Sequence, residues 1–214
     1  MNIDLLSAAT VYVVDDDPAG RESLCDLLHS QGLECAAFAS AEDFLEQHDD
    51  TRLGCVVTDY KMPGMNGAEL QAALAARRSR LPVIVVSGFA DVPVAVRAMQ
   101  QGAITLLQKP CDRAELLAAV EAALAVAAQR AQRHADEDEV AARLATLSED
   151  EQQVMQLLVE GRPNKLIAKE LDLGLRTVER RRQQVLEKMG VGSLPELASL
   201  IARYRHPAMR KIAH

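Results

Sequence analysis

Val11-Tyr12-Val13-Val14-Asp15-Asp16-Asp17-Pro18 decides the fold. A run of β-prone residues stops at three acids, and a proline follows where the first turn of a helix would begin. A strand passing directly into a helix opens a βα unit, and the pattern recurs down the chain. Apolar runs at Leu33–Phe38, Cys55–Thr58, Val83–Val86 and Thr105–Gln108 read as further strands. Helical periods fill the gaps at Pro18–Ser30, Ala41–Gln47, Gly67–Arg77 and Val92–Gln101, and a fifth helix starts near Asp112. Gly32 and Gly102 close the first and fourth helices, and Pro63-Gly64 marks a loop. Strands separated by helices predict an α/β domain over residues 1–125. Its five-stranded parallel sheet is doubly wound, with helices on both faces.

In such a sheet, functional groups gather beyond the carboxyl ends of the strands. Asp15, Asp16, Asp59, Ser87 and Lys109 all fall there. Carboxylates brought to one point repel each other, so the site calls for a cation. Mg²⁺ suits it, being a hard ion that prefers oxygen ligands and keeps several waters. Asp59, at the end of the central strand, is the candidate nucleophile, since a carboxylate accepts a phosphoryl group as an acyl phosphate. The transferring group carries charge on three equatorial oxygens. Mg²⁺, the Lys109 ammonium and the Ser87 hydroxyl with nearby amides would take one each. Taken singly, an acidic triplet is usually a capped loop, Ser87-Gly88 a turn and Lys109-Pro110 a loop. Their occurrence in order, each at a strand end, carries the reading.

The composition bounds the rest. Hydrophobic residues make up 49% of the 214 and aromatics only 3%, so the cores must be built from Ala, Leu and Val. The net charge of −7 conceals an asymmetry: 18 acidic and 9 basic residues up to Val126, but 5 acidic and 12 basic from Gly161 onward. An acidic half joined to a basic one suggests two domains, the second facing a polyanion. Cys25, Cys35, Cys55 and Cys111 show no metal-ligand spacing and read as small buried or semi-buried hydrophobes in a reduced protein. No apolar stretch is long enough to span a membrane, and Met1-Asn2-Ile3-Asp4 lacks the basic start of a signal peptide. A cytoplasmic location is expected.

Between Asp112 and Ala145 there is neither Gly nor Pro, and alanine is dense. This predicts a helix running out of the first domain into a helical linker over 126–145, with a break near Ala135–Glu139. Over 146–214 the pattern becomes all-α. Ser148 caps one helix, with Glu151 placed for a capping box. Asn164 caps a second, the Gly174 turn leads to a third over Thr177–Met189, and Pro195–Tyr204 forms the fourth. Four short helices with a tight turn before the most basic one read as a helix-turn-helix unit. Arg176, Glu179, Arg180 and Gln183 share its exposed side, with Arg181 adjacent. These residue types can read guanine, cytosine and adenine edges in double-stranded DNA. Lys165, Thr177 and the amides around Thr177 suit phosphate contacts.

Asp15-Asp16, Asp59, Met62-Pro63-Gly64 with Gly67, Ser87-Gly88 and Lys109-Pro110 resemble the receiver domain of two-component response regulators over roughly residues 9–125. The resemblance implies that a sensor histidine kinase phosphorylates Asp59. It implies direct Mg²⁺ ligation by Asp16 and Asp59, ligation through water by Asp15, a backbone carbonyl from Lys61, and a cis peptide before Pro110. One departure concerns the switch: where such domains often carry Phe or Tyr, three residues before the lysine, this chain has Leu106. The switch would then rest on Ser87 and the loop Gly88–Pro93.

Leu147–Arg203 resembles the LuxR-type helix-turn-helix domain of the FixJ and NarL response regulators. The carrying residues include Asn164-Lys165-Leu166-Ile167-Ala168, Arg176-Thr177-Val178-Glu179 and Lys188-Met189-Gly190. Arg180-Arg181 depart from the pattern, where an apolar residue and His are usual. The resemblance implies a phospho-acceptor rather than an enzyme, which dimerises on phosphorylation, binds operator DNA and contacts RNA polymerase. Two alternatives stay open. One is a regulator that works without phosphorylation, and the other is a receiver-based signalling module whose output is not DNA.

Overall fold

The structure, a computed structural model, describes residues 9–48, 52–88 and 92–203. Residues 89–91 of the loop Gly88–Pro93, Phe89 among them, the first eight residues and Tyr204 therefore lie outside the described residues. The chain forms two compact units, Met1–Gln132 and Arg133–His214.

In the first unit, β1 (Thr10–Val14), β2 (Glu34–Phe38), β3 (Gly54–Asp59), β4 (Val83–Ser87) and β5 (Thr105–Gln108) form one sheet. Its order is β2-β1-β3-β4-β5, and every pairing is parallel. Strand order reverses between β1 and β3, so the crevice at their carboxyl ends is the switch point where such sheets bind ligands. Side chains alternate across β1. Val11 and Val13 join one cluster with Leu28 of α1 (Pro18–Ser30) and Leu116, Val120 and Leu124 of α5 (Arg113–Ala145). Tyr12 and Val14 join a second cluster. It includes Phe44 of α2 (Ala41–Gln47), Leu70 and Leu74 of α3 (Gly67–Ala76) and Ala98 of α4 (Val92–Gln100). Both faces of the sheet are therefore covered, as the near-continuous apolar strands require.

Two expectations are corrected here. The helix beyond Asp112 does not break near Ala135–Glu139: α5 is one helix of 33 residues. Helix propensity holds it together, since neither Gly nor Pro interrupts it and Ala recurs throughout. The cysteines are not all free hydrophobes either. Cys25 on α1 and Cys35 on β2 form a disulfide, their Cα atoms 5.5 Å apart. The αβ turn at Gln31–Leu33 folds β2 back along α1, a proximity that sequence spacing alone does not reveal.

The second unit begins within α5 and continues through α6 (Glu149–Val159), α7 (Asn164–Glu170), α8 (Leu175–Met189) and α9 (Leu194–Arg203). The last turns of α5 belong to its core, where Val140 and Leu144 pack with Met155, Val185, Met189 and Leu197. The observed division at Gln132 falls inside the linker expected over 126–145. Ser148 caps α6 in a full capping box with Glu151, as expected. Asn164 does not cap α7: Pro163 holds that position and makes no side-chain cap. The basic helix starts at Leu175, two residues earlier than expected, with Gly174 as its N-cap.

Candidate phospho-acceptor pocket and DNA-reading helix

Each pocket residue is delivered by a strand end. Asp15 and Asp16 follow β1, Asp59 closes β3, Ser87 closes β4, and Lys109 follows β5. One oxygen from each of Asp15, Asp16 and Asp59 falls within 4.8 Å of the others. Asp15 is buried, Asp59 half-buried and Asp16 exposed, so the cluster opens to solvent on one side. The Lys109 ammonium bridges it, donating to Asp15 Oδ2 at 2.6 Å and to Asp59 Oδ2 at 2.7 Å. Burial pulls the Lys109 pKa down. The hydrogen bonds and charges of the two carboxylates outweigh that and leave it raised above 10.5. The lysine is therefore a fixed cation at neutral pH.

The surrounding backbone sets the geometry. The Asp17 amide donates to Asp15 Oδ1 at 2.9 Å, and Asp17 in turn caps α1 by accepting from the Ala19 and Gly20 amides. Arg21 reaches back from α1 to the Asp15 carbonyl at 2.5 Å. The Lys61 amide donates to Asp59 Oδ1 at 3.1 Å, which holds that carboxylate beside the acids of β1. The Lys109 amide donates to the Ser87 carbonyl at 2.8 Å, tying the ends of β4 and β5 together. Ser87 is buried at the end of β4, and the Lys109–Pro110 peptide is cis, as the resemblance implied.

Three oxygen-donor carboxylates, one of them buried, are the donor set a hard divalent ion prefers, and the residues fit a metal. Reasoning from sequence missed two supports. Arg21 gave no signal, because its contact crosses from a helix to a loop. Gly67 was noted only as part of a motif. The structure shows that a Cβ there would sit 2.4 Å from the Asp59 carbonyl, so only glycine lets α3 begin directly behind the phospho-acceptor candidate. Leu106 is half-buried on β5 and packs against the cluster that contains Val85 and Leu70.

In the second unit, α8 buries Val178, Val185, Leu186 and Met189. Arg176, Glu179, Arg180 and Gln183 are exposed on its other side, and Lys165 is exposed at the start of α7. Arg181 is not with them. It lies 18% exposed and pairs with Asp150 of α6, so its charge is used within the fold. The amide of Thr177 already donates to the Gly174 carbonyl at 2.9 Å and that of Val178 to the same oxygen at 3.2 Å, so both amides are engaged at the start of α8. The far end of α8 is held by contacts that sequence reading did not identify. Arg143 of α5 donates to the Met189 carbonyl at 2.8 Å and to Glu139 at 2.6 Å. Lys188 donates to Glu151 at 2.6 Å. That bond and the Ser148 amide hold the Glu151 pKa below the ordinary carboxylate value, against the effect of burial.

Comparison with known proteins accords with both halves. The response regulator receiver domain family matches residues 11–121, and the luxR family of bacterial regulatory proteins matches residues 145–201. The transcriptional regulatory protein FixJ of Bradyrhizobium diazoefficiens is 43% identical over 90% of this chain and 94% of its own. FixJ of Azorhizobium caulinodans is 46% identical over 89% of this chain and 90% of its own. The solved structure of the response regulator StyR matches with a TM-score of 0.80 at 41% identity, over 92% of this chain and all of that one. The chain belongs to the FixJ-like two-component response regulators, which join a receiver domain to a LuxR-type DNA-binding domain.

Proposed function

We propose that Asp59 accepts a phosphoryl group from a sensor histidine kinase, and that this modification raises the affinity of the second unit for operator DNA. The observation that carries the proposal is the Lys109 ammonium held between Asp15 and Asp59 beside a third carboxylate. In the transfer, an Asp59 carboxylate oxygen attacks phosphorus as the bond to the donor nitrogen breaks, and the leaving imidazole retains its electron pair. Bound Mg²⁺, held by Asp16 and Asp59, by Asp15 through water and by the Lys61 carbonyl, would neutralise charge on one phosphoryl oxygen. Lys109 is placed to balance a second oxygen, and the Ser87 hydroxyl a third. The protein is a phospho-acceptor that assists its own transfer, not an enzyme with a separate substrate.

The output is dimerisation on phosphorylation and sequence-selective DNA binding in the cytoplasm, followed by contact with RNA polymerase. Among the described residues no helix is long and apolar enough to cross a membrane. Arg176, Glu179, Arg180 and Gln183 are the base readers, with Lys165 and Thr177 on phosphates. The test is intact mass after exposure to a phosphorylated kinase or a small phosphoamidate with Mg²⁺, read alongside retention of labelled duplex. Wild type should gain one hydroxylamine-labile phosphoryl group and bind selected duplex more tightly, and Asp59→Asn should do neither. Phosphorylation elsewhere, or duplex binding no better than to random sequence, would defeat the reading. Leu106 in the ring position favours a second reading, a regulator active without phosphorylation. Operator binding by Asp59→Asn equal to phosphorylated wild type would establish it.

A further inference from the structure

The Cys25–Cys35 disulfide takes no part in phosphoryl or DNA chemistry. The receiver fold does not need it either. The sheet has an apolar cluster on each face, whereas disulfides that stand in for a core belong to small secreted domains. Disulfides in cytoplasmic proteins are mostly transient and redox-responsive. Both cysteines are half-buried rather than sealed in. Cys55 makes the contrast: it is fully buried, and burial pushes its thiol up to about 12, which keeps it protonated and inert.

Cys35 also lines an open cavity of about 520 Å³ at the amino-terminal edge of the sheet, together with His29, Glu34 and Arg52. The cavity gives a thiol access to the bond, and Arg52 is an exposed guanidinium beside that path. We propose that Cys25–Cys35 is a reversible thiol–disulfide site that exchanges with an acidic tripeptide thiol of the glutathione class, whose carboxylate Arg52 attracts. In the opening direction, a glutathione thiolate attacks the Cys35 sulfur, forming a mixed disulfide and releasing Cys25 as a thiolate that takes a proton. A second glutathione attacks the mixed disulfide, so that two thiols are oxidised to glutathione disulfide and the protein gains two electrons and two protons. Glutathione disulfide drives the reverse. The choice of this thiol rests on the cytoplasmic setting proposed above. Cysteine chemistry is read without phosphorylation or DNA, so its failure is distinct from failure of that reading.

The experiment equilibrates the full-length protein in glutathione buffers from strongly reducing to strongly oxidising. Acid quench, alkylation and intact mass then follow, with far-UV dichroism monitoring the fold. The pair should open and close reversibly at unchanged dichroism, gaining two alkyl groups when open. Cys25→Ser should leave Cys35 as a mixed disulfide with glutathione. Arg52→Ala should slow opening by glutathione but not by neutral 2-mercaptoethanol, and the difference should vanish in high salt. A bond that stays closed until the protein unfolds, or one that never forms in the most oxidising buffer, overturns the proposal. Equal rates for Arg52→Ala and wild type with glutathione overturn the assignment of the thiol.

Discussion

Replacing Lys109 with methionine tests the electrostatic logic of the pocket. Methionine keeps an unbranched stem of similar length and removes only the charge. The ammonium lies 2.6 Å from Asp15 Oδ2 and 2.7 Å from Asp59 Oδ2, and those two side chains are 3% and 13% exposed. Removing one partner of a buried pair costs about 3–5 kcal/mol. The Lys109 side chain is itself 33% exposed, so water and salt already moderate the interaction, and about 2 kcal/mol is the expected loss here. The chain has two compact units, which makes a single global unfolding free energy a poor readout. Hydrogen exchange of the β1 and β3 amides reports the receiver alone. In chelator, these amides should exchange roughly thirty-fold faster in Lys109→Met than in wild type. Mg²⁺ stabilises each protein by an amount set by that protein's own dissociation constant. The variant lacks the ammonium that occupies the same carboxylates in wild type and should bind Mg²⁺ more tightly, so a fixed Mg²⁺ concentration should narrow the gap. Two results would refute the reasoning: wild-type exchange in chelator, or an equal deficit with and without Mg²⁺. The first would mean that the carboxylates need no cation. The second would mean that the lysine acts through packing.

Other perturbations address the second unit. Glu151→Gln should cost about 1–2 kcal/mol at neutral pH, because it removes the charge paired with Lys188 and weakens the capping box. The pKa of Glu151 is lowered by folding, so its contribution is present above the ordinary carboxylate value and is lost as pH falls through the lowered one. Exchange from α6 in the variant and wild type should therefore converge in acid, and a gap that persists at low pH would rule out an ionic origin. Arg143→Ala should free the carbonyl end of α8 at a cost of about 1 kcal/mol, visible as faster exchange in its last turn. Unchanged exchange there would show that the contact is idle. Arg180→Ala should relax specificity at one base position by roughly 1–3 kcal/mol, whereas Arg181→Ala should leave specificity intact and cost at most about 1 kcal/mol of stability. Binding assays on single-base operator variants separate the two, and the reverse ranking would place Arg181 in the groove.

Much of this was legible from residues because the governing signals are local. The helices Pro18–Ser30 and Ala41–Gln47 and the strand Thr105–Gln108 agree with their apolar periods and caps to the residue. The pocket was legible because its members each follow an apolar strand, and a parallel sheet brings those ends together whatever the loops do. What escaped joins one element to another, even where the residues are only 6 or 10 apart in the chain. The Arg21 contact with Asp15, the Cys25–Cys35 bond and the Arg143 hold on α8 each join elements whose approach depends on packing, not on spacing in the chain. The expected break in α5 failed for a different reason. Gln129–Glu139 lacks an apolar face, but helix propensity needs none, and the i,i+4 pair of Glu139 with Arg143 supports the turns beyond it.

Leu106 bears on how the pocket could pass its signal on. Asp59 stands opposite Val86, and Ser87 opposite Gln108, in adjoining parallel registers. Lys109 is bound to both acids through its side chain and to the Ser87 carbonyl through its amide. A phosphoryl group on Asp59 would compete for that ammonium and for the Ser87 hydroxyl together. Any displacement of Lys109 then pulls on the ends of β4 and β5 at once, because one residue carries both links. An aromatic ring at position 106 would add a side-chain rotation to this movement. The leucine packs against the apolar cluster and has no polar tip that must stay wet, so burial is its preferred state. The signal from the proposed phosphorylation would therefore be carried first by the backbone of β4 and β5. On this argument Ser87→Ala, which removes one of the two ligands that the phosphoryl group recruits, should uncouple phosphorylation from DNA affinity more completely than Leu106→Ala.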